Sequence, residues 1–355
     1  MTLRQTLVSS LFVAVIAGCS ESAEGVMGPS QGGSGSRGSG GSAGAGAGGT
    51  GAGGTGITGT AGTGGSAATG GSAGTDSAGT GGSTGSKDGG TAGSSADGGT
   101  PLPPPDGGPA DIPMPTGACP DFEQGDVTFN PAGGTRKVAM TLSDASRTVN
   151  GGPLIFYWYA TGSNPTEARR GLPIAEVTSA GGIVVAPYDV AGAGTFPWLS
   201  QLTQHDALFD EVLACAVQKT KISAARIHAL GFSAGALMTT HLSFARSKYM
   251  ASVATYSGGA KGEFQETNNK FAAMIMTGGM NDIVVSNFYT SSQQWFQTLK
   301  TGGHFAMFCD HGGGHSIPAR LVPGVWQFFV DHPYGRVPSP YQGHLPAAIA
   351  PPCIE

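Results

Sequence analysis

The sequence feature that most constrains the fold is the pentapeptide GFSAG at residues 231–235. A strand-like apolar run, RIHAL, precedes it, and a helix-like run, ALMTTHL, follows it. This order of strand, tight Gly-x-Ser-x-Gly turn and helix is typical of a nucleophile elbow, which lifts a serine hydroxyl above the end of a strand. The same spacing recurs without such neighbours in a glycine-rich tract, around Ser42, Ser72 and Ser83. Local context therefore selects Ser233 as the nucleophile.

Composition divides the chain into a low-complexity part and a globular part. Gly, Ser, Thr, Ala and then Pro dominate residues 28–118, which hold too few apolar side chains to offset the entropy of ordering them. We predict a disordered linker over residues 19–118 that stiffens in the proline-rich stretch 101–115. Residues 119–355 are long enough to form one globular domain with a substantial core.

Residues 1–18 have the features of an export signal. A basic residue precedes the apolar run 7–17, which is too short to span a membrane comfortably and fits the core of a signal peptide. The tetrapeptide IAGC at residues 16–19 resembles the lipobox of bacterial lipoproteins. That resemblance implies that Cys19 is lipidated and becomes the first mature residue; the alternative is an ordinary secretory signal. Because Ser20 follows, it also implies an outer-membrane or cell-surface lipoprotein, with release outside the cell as an alternative.

The formal net charge of −5 provides no basic patch, so nucleic acid is not an expected partner. Contact with a membrane is expected only through the lipid anchor, and the domain is expected to be a monomer. An anchor followed by a long linker gives a tethered domain with a wide reach.

The predicted globular domain contains four cysteines: Cys119, Cys215, Cys309 and Cys353. An even number of cysteines in an exported domain indicates two disulfides. Three pairings are possible. Because Cys119 and Cys353 lie near the domain ends, where a bridge would fasten the termini to the core, we favour Cys119–Cys215 with Cys309–Cys353. Buried free thiols are the alternative.

Strand-like and helix-like runs alternate along the globular part. The strand-like runs are residues 137–142, 153–159, 183–186, 226–230, 252–256, 272–277 and 305–309. The helix-like runs are residues 166–180, 205–218, 236–246, 287–300 and 323–330. This alternation predicts a mostly parallel central sheet with helices on both faces. Right-handed crossovers then place the loops after the strands along one edge, where catalytic groups belong.

Serine needs a base to remove its proton, and a carboxylate must orient that base. In this architecture the carboxylate and then the histidine follow the serine along the chain. Asp282 fits the first role, because it follows a buried strand-like run through a glycine-containing loop. Asp310 lies too close to the best histidine to come from a separate strand, and Asp331 lies at a helix end. A turn-capping role is the alternative for Asp282.

The best candidate for the base is His315, in the segment DHGGGH directly after the last strand-like run. A glycine loop can bring its imidazole over the serine. His311 is the second choice, and it lies closer to the strand. A metal site made of Asp310, His311 and His315 is disfavoured, because no further carboxylate or histidine stands at ligand spacing.

Backbone N–H groups are expected to stabilise the charge that develops on the carbonyl oxygen. One donor is the N–H of Ala234, which directly follows the nucleophile. The second is expected in the loop ATGSN after residues 153–159, at Thr161, with Ala160 as the alternative.

Three aromatic residues near the same edge are candidates for substrate binding: Tyr159, Phe196 and Trp198. Aromatic rings there can pack an acyl chain, a phenolic ring or a sugar. Phe196 and Trp198 lie in a glycine-rich loop, which favours their exposure. The alternative is that these rings belong to the core.

These motifs resemble those of α/β-hydrolase esterases of the polyhydroxybutyrate depolymerase and feruloyl esterase group, over most of residues 135–332. The segments that carry the resemblance are PLIFYWYATGSNP, HDALFDEV, RIHALGFSAGALMT, TGGMNDIVV and GGGH. The resemblance implies an α/β-hydrolase fold, with Ser233 as nucleophile, Asp282 as orienting acid and His315 as base.

One further position agrees with this resemblance, and one departs from it. Asp206 matches an acidic position that the family uses structurally. The oxyanion strand of the family usually ends in His-Gly, whereas this chain has Tyr159-Ala160 there. A backbone donor survives such a change, although the loop around it differs.

The sequence thus predicts a secreted, lipid-anchored carboxylic ester hydrolase that works through an acyl-enzyme without a metal or organic cofactor. Its expected substrates are polyesters such as polyhydroxyalkanoates, or feruloyl and acetyl esters of polysaccharides. A serine peptidase is one alternative, because the same triad cleaves amides. A non-catalytic surface-binding protein on a hydrolase scaffold is the other.

Overall fold

The computed structural model describes residues 107–190, 194–260 and 268–355, all within the unit Asp88–Glu355. The export signal, Cys19 and most of the predicted linker lie outside these residues. A nine-stranded sheet forms the centre of the described chain. Its strands are β1 (Gly125–Phe129), β2 (Arg136–Thr141), β3 (Gly152–Trp158), β4 (Ile183–Pro187), β5 (Ile222–Phe232), β6 (Ser252–Tyr256), β7 (Ala272–Thr277), β8 (Ala306–Asp310) and β9 (Cys353–Ile354).

The strand order across the sheet is β1-β2-β4-β3-β5-β6-β7-β8-β9. All pairings among β3 to β8 are parallel. Antiparallel pairing is confined to the margins, where β1 and β2 extend one side and β9 the other. The mostly parallel sheet predicted from the sequence is therefore confirmed, and the carboxyl ends of β3 and β5 to β8 meet along one edge.

Seven α-helices accompany the sheet in the described residues. They are α1 (Ala145–Thr148), α2 (Ala168–Gly171), α3 (Ile174–Ser179), α4 (Leu202–Lys219), α5 (Ala234–Ala245), α6 (Phe288–Thr301) and α7 (Val322–Asp331). Helix α5 packs on β3, β5 and β6, and α6 packs on β7 and β8. These two contacts place the helices that begin at the carboxyl edge of the sheet directly against its strands.

The prediction of a single helix over residues 166–180 is wrong, because the structure has a short 3₁₀ turn followed by α2 and α3 there. The break falls at Leu172, whose backbone is extended with φ −139° and ψ 143°. Pro173 follows, and a proline disfavours helical geometry in the residue before it. Strands β1 and β9 are additions to the predicted set. β1 mixes exposed and buried residues and β9 has only two residues, so neither has the continuous apolar run that identifies the central strands.

The core follows from the strand sequences. Every residue of β3, β4, β6 and β7 is buried, as expected for parallel strands covered on both faces. The ring of Phe156 in β3 packs against Phe209 in α4 with centroids 4.3 Å apart. Burial of such side chains on both faces of the sheet fixes the register of the strands that carry the site.

Two disulfides join the ends of the domain to its body, with the pairing that the cysteine positions favour. Cys119 bonds to Cys215 in α4, 96 residues away. Cys309 in β8 bonds to Cys353 in β9, 44 residues away, so the last strand is covalently fixed to the sheet margin.

The chain before Cys119 already contacts the domain. The Thr116 N–H and hydroxyl both donate to the Glu211 carboxylate in α4, at 2.7 and 2.6 Å. Ile112 packs against the core, and Pro109 is buried. Residues before Cys119 therefore also pack on the domain predicted over residues 119–355. The polar and proline-rich composition of this stretch hid its packing partners.

None of the helices in the described residues combines the length and apolar character needed to cross a membrane.

Removing the Cys119–Cys215 bridge tests its contribution to stability. We expect Cys119→Ser with Cys215→Ala to lower the free energy of unfolding by about 2–5 kcal/mol, because the bridge restricts a long loop in the unfolded chain. Urea unfolding of the variant and the oxidised wild type measures the difference. An unchanged midpoint would show that the bridge adds no stability.

Candidate active site

The turn between β5 and α5 holds Ser233 in a strained backbone conformation. Its φ is 56° and its ψ −118°, a region that side-chain-bearing residues rarely adopt. The Ser233 N–H donates to the Tyr256 carbonyl at 3.0 Å, and the Ser233 carbonyl accepts from the Leu237 N–H at 3.1 Å. The next strand and the first turn of α5 thus hold the serine at the carboxyl edge of the sheet.

The two glycines of the pentapeptide are required by close backbone approach. A Cβ on Gly235 would lie 1.8 Å from the Trp158 carbonyl oxygen at the end of β3. A Cβ on Gly231 would lie 2.3 Å from the backbone of Gly235. Neither position has room for any side chain, so the Gly-x-Ser-x-Gly spacing follows from packing of the turn against β3.

His315 reaches the serine from the loop after β8. Its Nε2 lies 2.9 Å from the Ser233 Oγ, and its Nδ1 lies 2.7 Å from the Asp282 Oδ1. Because the carboxylate can only accept, Nδ1 carries the proton and Nε2 is left to accept from the serine hydroxyl. The imidazole packs against the rings of Phe232 and Phe288, with centroids 4.9 and 4.7 Å away, which restricts its orientation.

Asp282 is fully buried in the loop after β7. Its Oδ2 accepts from the Thr277 hydroxyl and from the Gly278 N–H, both at 2.9 Å. Burial favours the neutral carboxyl, but the hydrogen bonds from His315, Gly278 and neighbouring hydroxyls outweigh burial and lower the pKa of Asp282 below its usual value. The side chain therefore faces His315 as a carboxylate at neutral pH.

The loops after β7 and β8 are joined by backbone hydrogen bonds. The His311 N–H donates to the Thr277 carbonyl and the Gly314 N–H to the Gly278 carbonyl, both at 2.9 Å. The loop that carries Asp282 and the loop that carries His315 therefore hold each other in place.

The expected oxyanion donors lie at two adjacent strand ends. Ala234 is the first residue of α5, and Thr161 lies in a turn after β3 that is closed by a 3.0 Å bond from the Ser163 N–H to the Ala160 carbonyl. The Thr161 hydroxyl donates to the Thr195 carbonyl, which fixes this turn from outside. The Ala160 N–H already donates to a carboxylate, so of the two alternatives only Thr161 is left for the role.

That carboxylate belongs to Glu167, a residue that the sequence analysis missed. The buried Glu167 Oε1 accepts from the Ala160 N–H at 3.0 Å and from the Tyr157 hydroxyl at 3.1 Å. In the sequence, Glu167 looks like an ordinary acidic residue in a first helical turn. Its closeness in sequence to the ATGSN loop was the signal that could have revealed this role.

The assignment of Tyr159 and Trp198 to substrate binding is corrected by their burial. Trp198 is fully buried and Tyr159 nearly so. The Trp198 indole N–H donates to the Tyr159 carbonyl at 2.7 Å, and the Tyr159 hydroxyl accepts from the Asp189 N–H at 2.8 Å. These hydrogen bonds hold both rings in the interior, where they support the loop after β3. Phe196 is only partly buried and remains a candidate substrate contact.

The competing candidates have other partners. The Asp310 carboxylate accepts from the Gly312 N–H at 3.0 Å, and that of Asp331 from the Tyr341 hydroxyl at 2.7 Å. The His311 Nδ1 accepts from the Gly313 N–H at 3.2 Å. Within residues 107–190, 194–260 and 268–355, no group of three or more His, Cys, Asp or Glu side chains is placed to hold a metal ion.

Two further residues have structural roles. Asp206 in α4 lies 2.9 Å from the His241 Nε2 in α5, and so connects the two helices. His228 is buried, with its Nδ1 2.8 Å from the Ser252 hydroxyl. Burial and nearby cationic groups hold the pKa of His228 well below its ordinary value, so it stays neutral in the core.

Comparison with known proteins supports the fold and the class of enzyme. The family described as phospholipase/carboxylesterase matches residues 200–332, which include the serine, the acid and the histidine. The native structure of pOPH superposes with a TM-score of 0.55 at 16% identity, covering 66% of this chain and 94% of that one. The native structure of sOPH gives 0.52 at 17% identity, with the same coverages. No curated protein matches the sequence significantly.

The described chain has the α/β-hydrolase fold, as the sequence predicted. Together with the family match, the site at the carboxyl edge defines the protein more narrowly: it is a carboxylic ester hydrolase.

The contact between the turn and β3 predicts that Gly235→Ala is not tolerated. The added Cβ collides with backbone rather than with a flexible side chain, so we expect a loss of about 3 kcal/mol or more of stability, the upper range of overpacking. Gly117→Ala is the matched control, because a Cβ there meets nothing within 4 Å. Thermal unfolding of both variants tests the point, and equal melting temperatures would contradict it.

Proposed function

We propose that the protein is a serine esterase whose nucleophile is Ser233. The hydrogen-bonded series from the Ser233 hydroxyl through His315 to Asp282 carries this proposal. His315 Nε2 takes the hydroxyl proton as Ser233 Oγ attacks the carbonyl carbon of an ester. The anionic Asp282 stabilises the resulting imidazolium.

The negative charge moves to the former carbonyl oxygen in the tetrahedral intermediate. We assign its stabilisation to the N–H groups of Ala234 and Thr161. Ala234 lies at the first turn of the 12-residue helix α5, whose dipole places partial positive charge there. Collapse of the intermediate breaks the ester C–O bond, and the imidazolium gives its proton to the departing alcohol.

Water then releases the acid from the acyl-enzyme. His315 removes a proton from water, the hydroxide attacks the acyl carbon, and the proton returns to Ser233 Oγ as that bond breaks. Each step uses side chains of this chain and water, and the proposed reaction needs no metal or organic cofactor.

The proposed setting is the outside of the cell. It rests on the lipobox-like sequence ending at Cys19, on the glycine-rich sequence that follows it, and on two disulfides in the domain. Resemblance to the polyhydroxybutyrate depolymerase and feruloyl esterase group supports polyesters or esterified polysaccharides as substrates of a monomeric, surface-anchored enzyme.

Substitutions in the hydrogen-bonded series test the proposed mechanism. A fluorophosphonate probe should label the wild type and not Ser233→Ala. We expect kcat on p-nitrophenyl acetate to fall about 10⁴-fold in Asp282→Asn and more in His315→Ala, because the serine loses its oriented base. Circular dichroism should show the wild-type fold.

The competing residues provide matched controls. Asp310→Asn and His311→Gln should retain turnover within about threefold, because neither side chain contacts the serine. Loss of activity in these controls with retention in Asp282→Asn or His315→Ala would reassign the acid or the base.

Glu167 is expected to act as a positioning residue for the oxyanion loop. Glu167→Met keeps similar volume but leaves the Ala160 N–H unpaired, which releases the turn that carries Thr161. We expect kcat to fall about tenfold with KM nearly unchanged, and affinity for a boronic acid analogue of the tetrahedral intermediate to fall in parallel. Tyr157→Phe, which removes only the second bond to Glu167, is the control. A change confined to KM would contradict this role.

A further inference from the structure

The loop between β7 and α6 presents an unusual group of apolar side chains to solvent. Met280, Ile283, Val284 and Val285 are 76%, 57%, 59% and 61% exposed. We name residues 280–285 the apolar loop. The other large exposed apolar residues of the described chain are separated in sequence: Met114, Val149, Val217, Val337 and Ile354. Single exposed apolar residues are ordinary, whereas a cluster marks an interaction surface.

Backbone hydrogen bonds hold the apolar loop in a defined shape. The Asp282 N–H donates to the Gly279 carbonyl at 2.9 Å, and the Ile283 N–H donates to the Asn281 carbonyl at 2.8 Å. The Phe288 N–H returns to the Asp282 carbonyl at 2.9 Å. The apolar side chains are therefore displayed by a fixed backbone, which lowers the entropic cost of binding through them.

The apolar loop is part of the catalytic edge. Asp282 lies within it, and its carboxylate contacts the base that contacts the serine. Phe288, which ends this connection, packs its ring against His315. The exposed side chains therefore flank, in the same loop, the carboxylate that holds the base of Ser233.

The charge of this region restricts what binds it. Residues 278–288 contain one ionisable side chain, Asp282, and it is buried. An uncharged apolar surface gains free energy by excluding water and offers no cation to an anionic lipid headgroup. The chemistry therefore fits a neutral, water-insoluble phase.

We propose that the apolar loop adsorbs the enzyme to a water-insoluble aliphatic ester phase and so delivers surface esters to Ser233. This inference rests on the proposed esterase function for its substrate, but the adsorption itself requires no turnover. The two can therefore fail separately.

Adsorption is tested first, with the full chain carrying Ser233→Ala so that no hydrolysis occurs. Binding to poly(ε-caprolactone) particles is measured with and without Val284→Ser and Val285→Ser. We expect about tenfold weaker binding with the two serines. The control carries Val149→Ser and Val337→Ser, which remove two exposed valines elsewhere and should leave binding unchanged. Equal binding of all three proteins would overturn the proposal.

Catalysis is tested second, with Ser233 intact. The ratio of the rate on the particles to the rate on p-nitrophenyl acetate should fall about tenfold in the Val284→Ser, Val285→Ser protein and stay constant in the control. An unchanged ratio would overturn the proposal. Absence of hydrolysis by the wild type would overturn the esterase function and leave the adsorption result standing.

Further measurements test two other binding partners for the apolar loop: a second copy of the chain and a lipid membrane. If the serine pair converts a wild-type dimer to a monomer in light scattering, the loop is a self-association surface and the proposal is wrong. Equally strong, loop-dependent binding to phosphatidylcholine vesicles would assign it to membranes and also overturn the proposal. A monomer whose binding to particles depends on the loop, and whose binding to vesicles does not, supports it.

Discussion

The contact that the rest of the site depends on is the approach of the α5 backbone to the end of β3. Only a hydrogen at Gly235 fits against the Trp158 carbonyl. Gly235 directly follows Ala234, and Trp158 is three residues before Thr161, so this contact brings the two proposed oxyanion donors to the same end of the sheet. It also keeps Ser233 in a conformation that costs free energy, which burial of β5 and β6 on both faces compensates.

On the other side of the serine, order depends on hydrogen bonds to a buried charge. Thr277 and Gly278 hold Asp282 at the end of β7, and Asp282 in turn fixes the tautomer of His315. Because the backbones of the two loops bond to each other, the positions of Asp282 and His315 are fixed together. The flexibility that their glycines suggest is therefore limited by the neighbouring strand.

Sequence was sufficient where one physical signal dominates. Continuous apolar runs identified β3, β4, β6 and β7, because strands covered on both faces admit little else. The Gly-x-Ser-x-Gly turn was recognisable because only glycine fits sterically at residues 231 and 235. The sequence was insufficient where the position of a side chain depends on contacts that form only in the folded chain. Trp198 is buried where its indole N–H reaches the Tyr159 carbonyl, 39 residues away in the chain. Glu167 is a different case, because its partners Tyr157 and Ala160 are near in sequence and only the folded turn brings its carboxylate back to them.

The Cys119–Cys215 bridge has a mechanical consequence. Cys119 precedes β1, and its partner lies inside an 18-residue helix packed on the sheet. A pulling force on the chain that precedes Cys119 would reach this bond before it reaches β1. The force would pass through the disulfide into α4. The hairpin of β1 and β2, at the margin of the sheet, would then carry less of it.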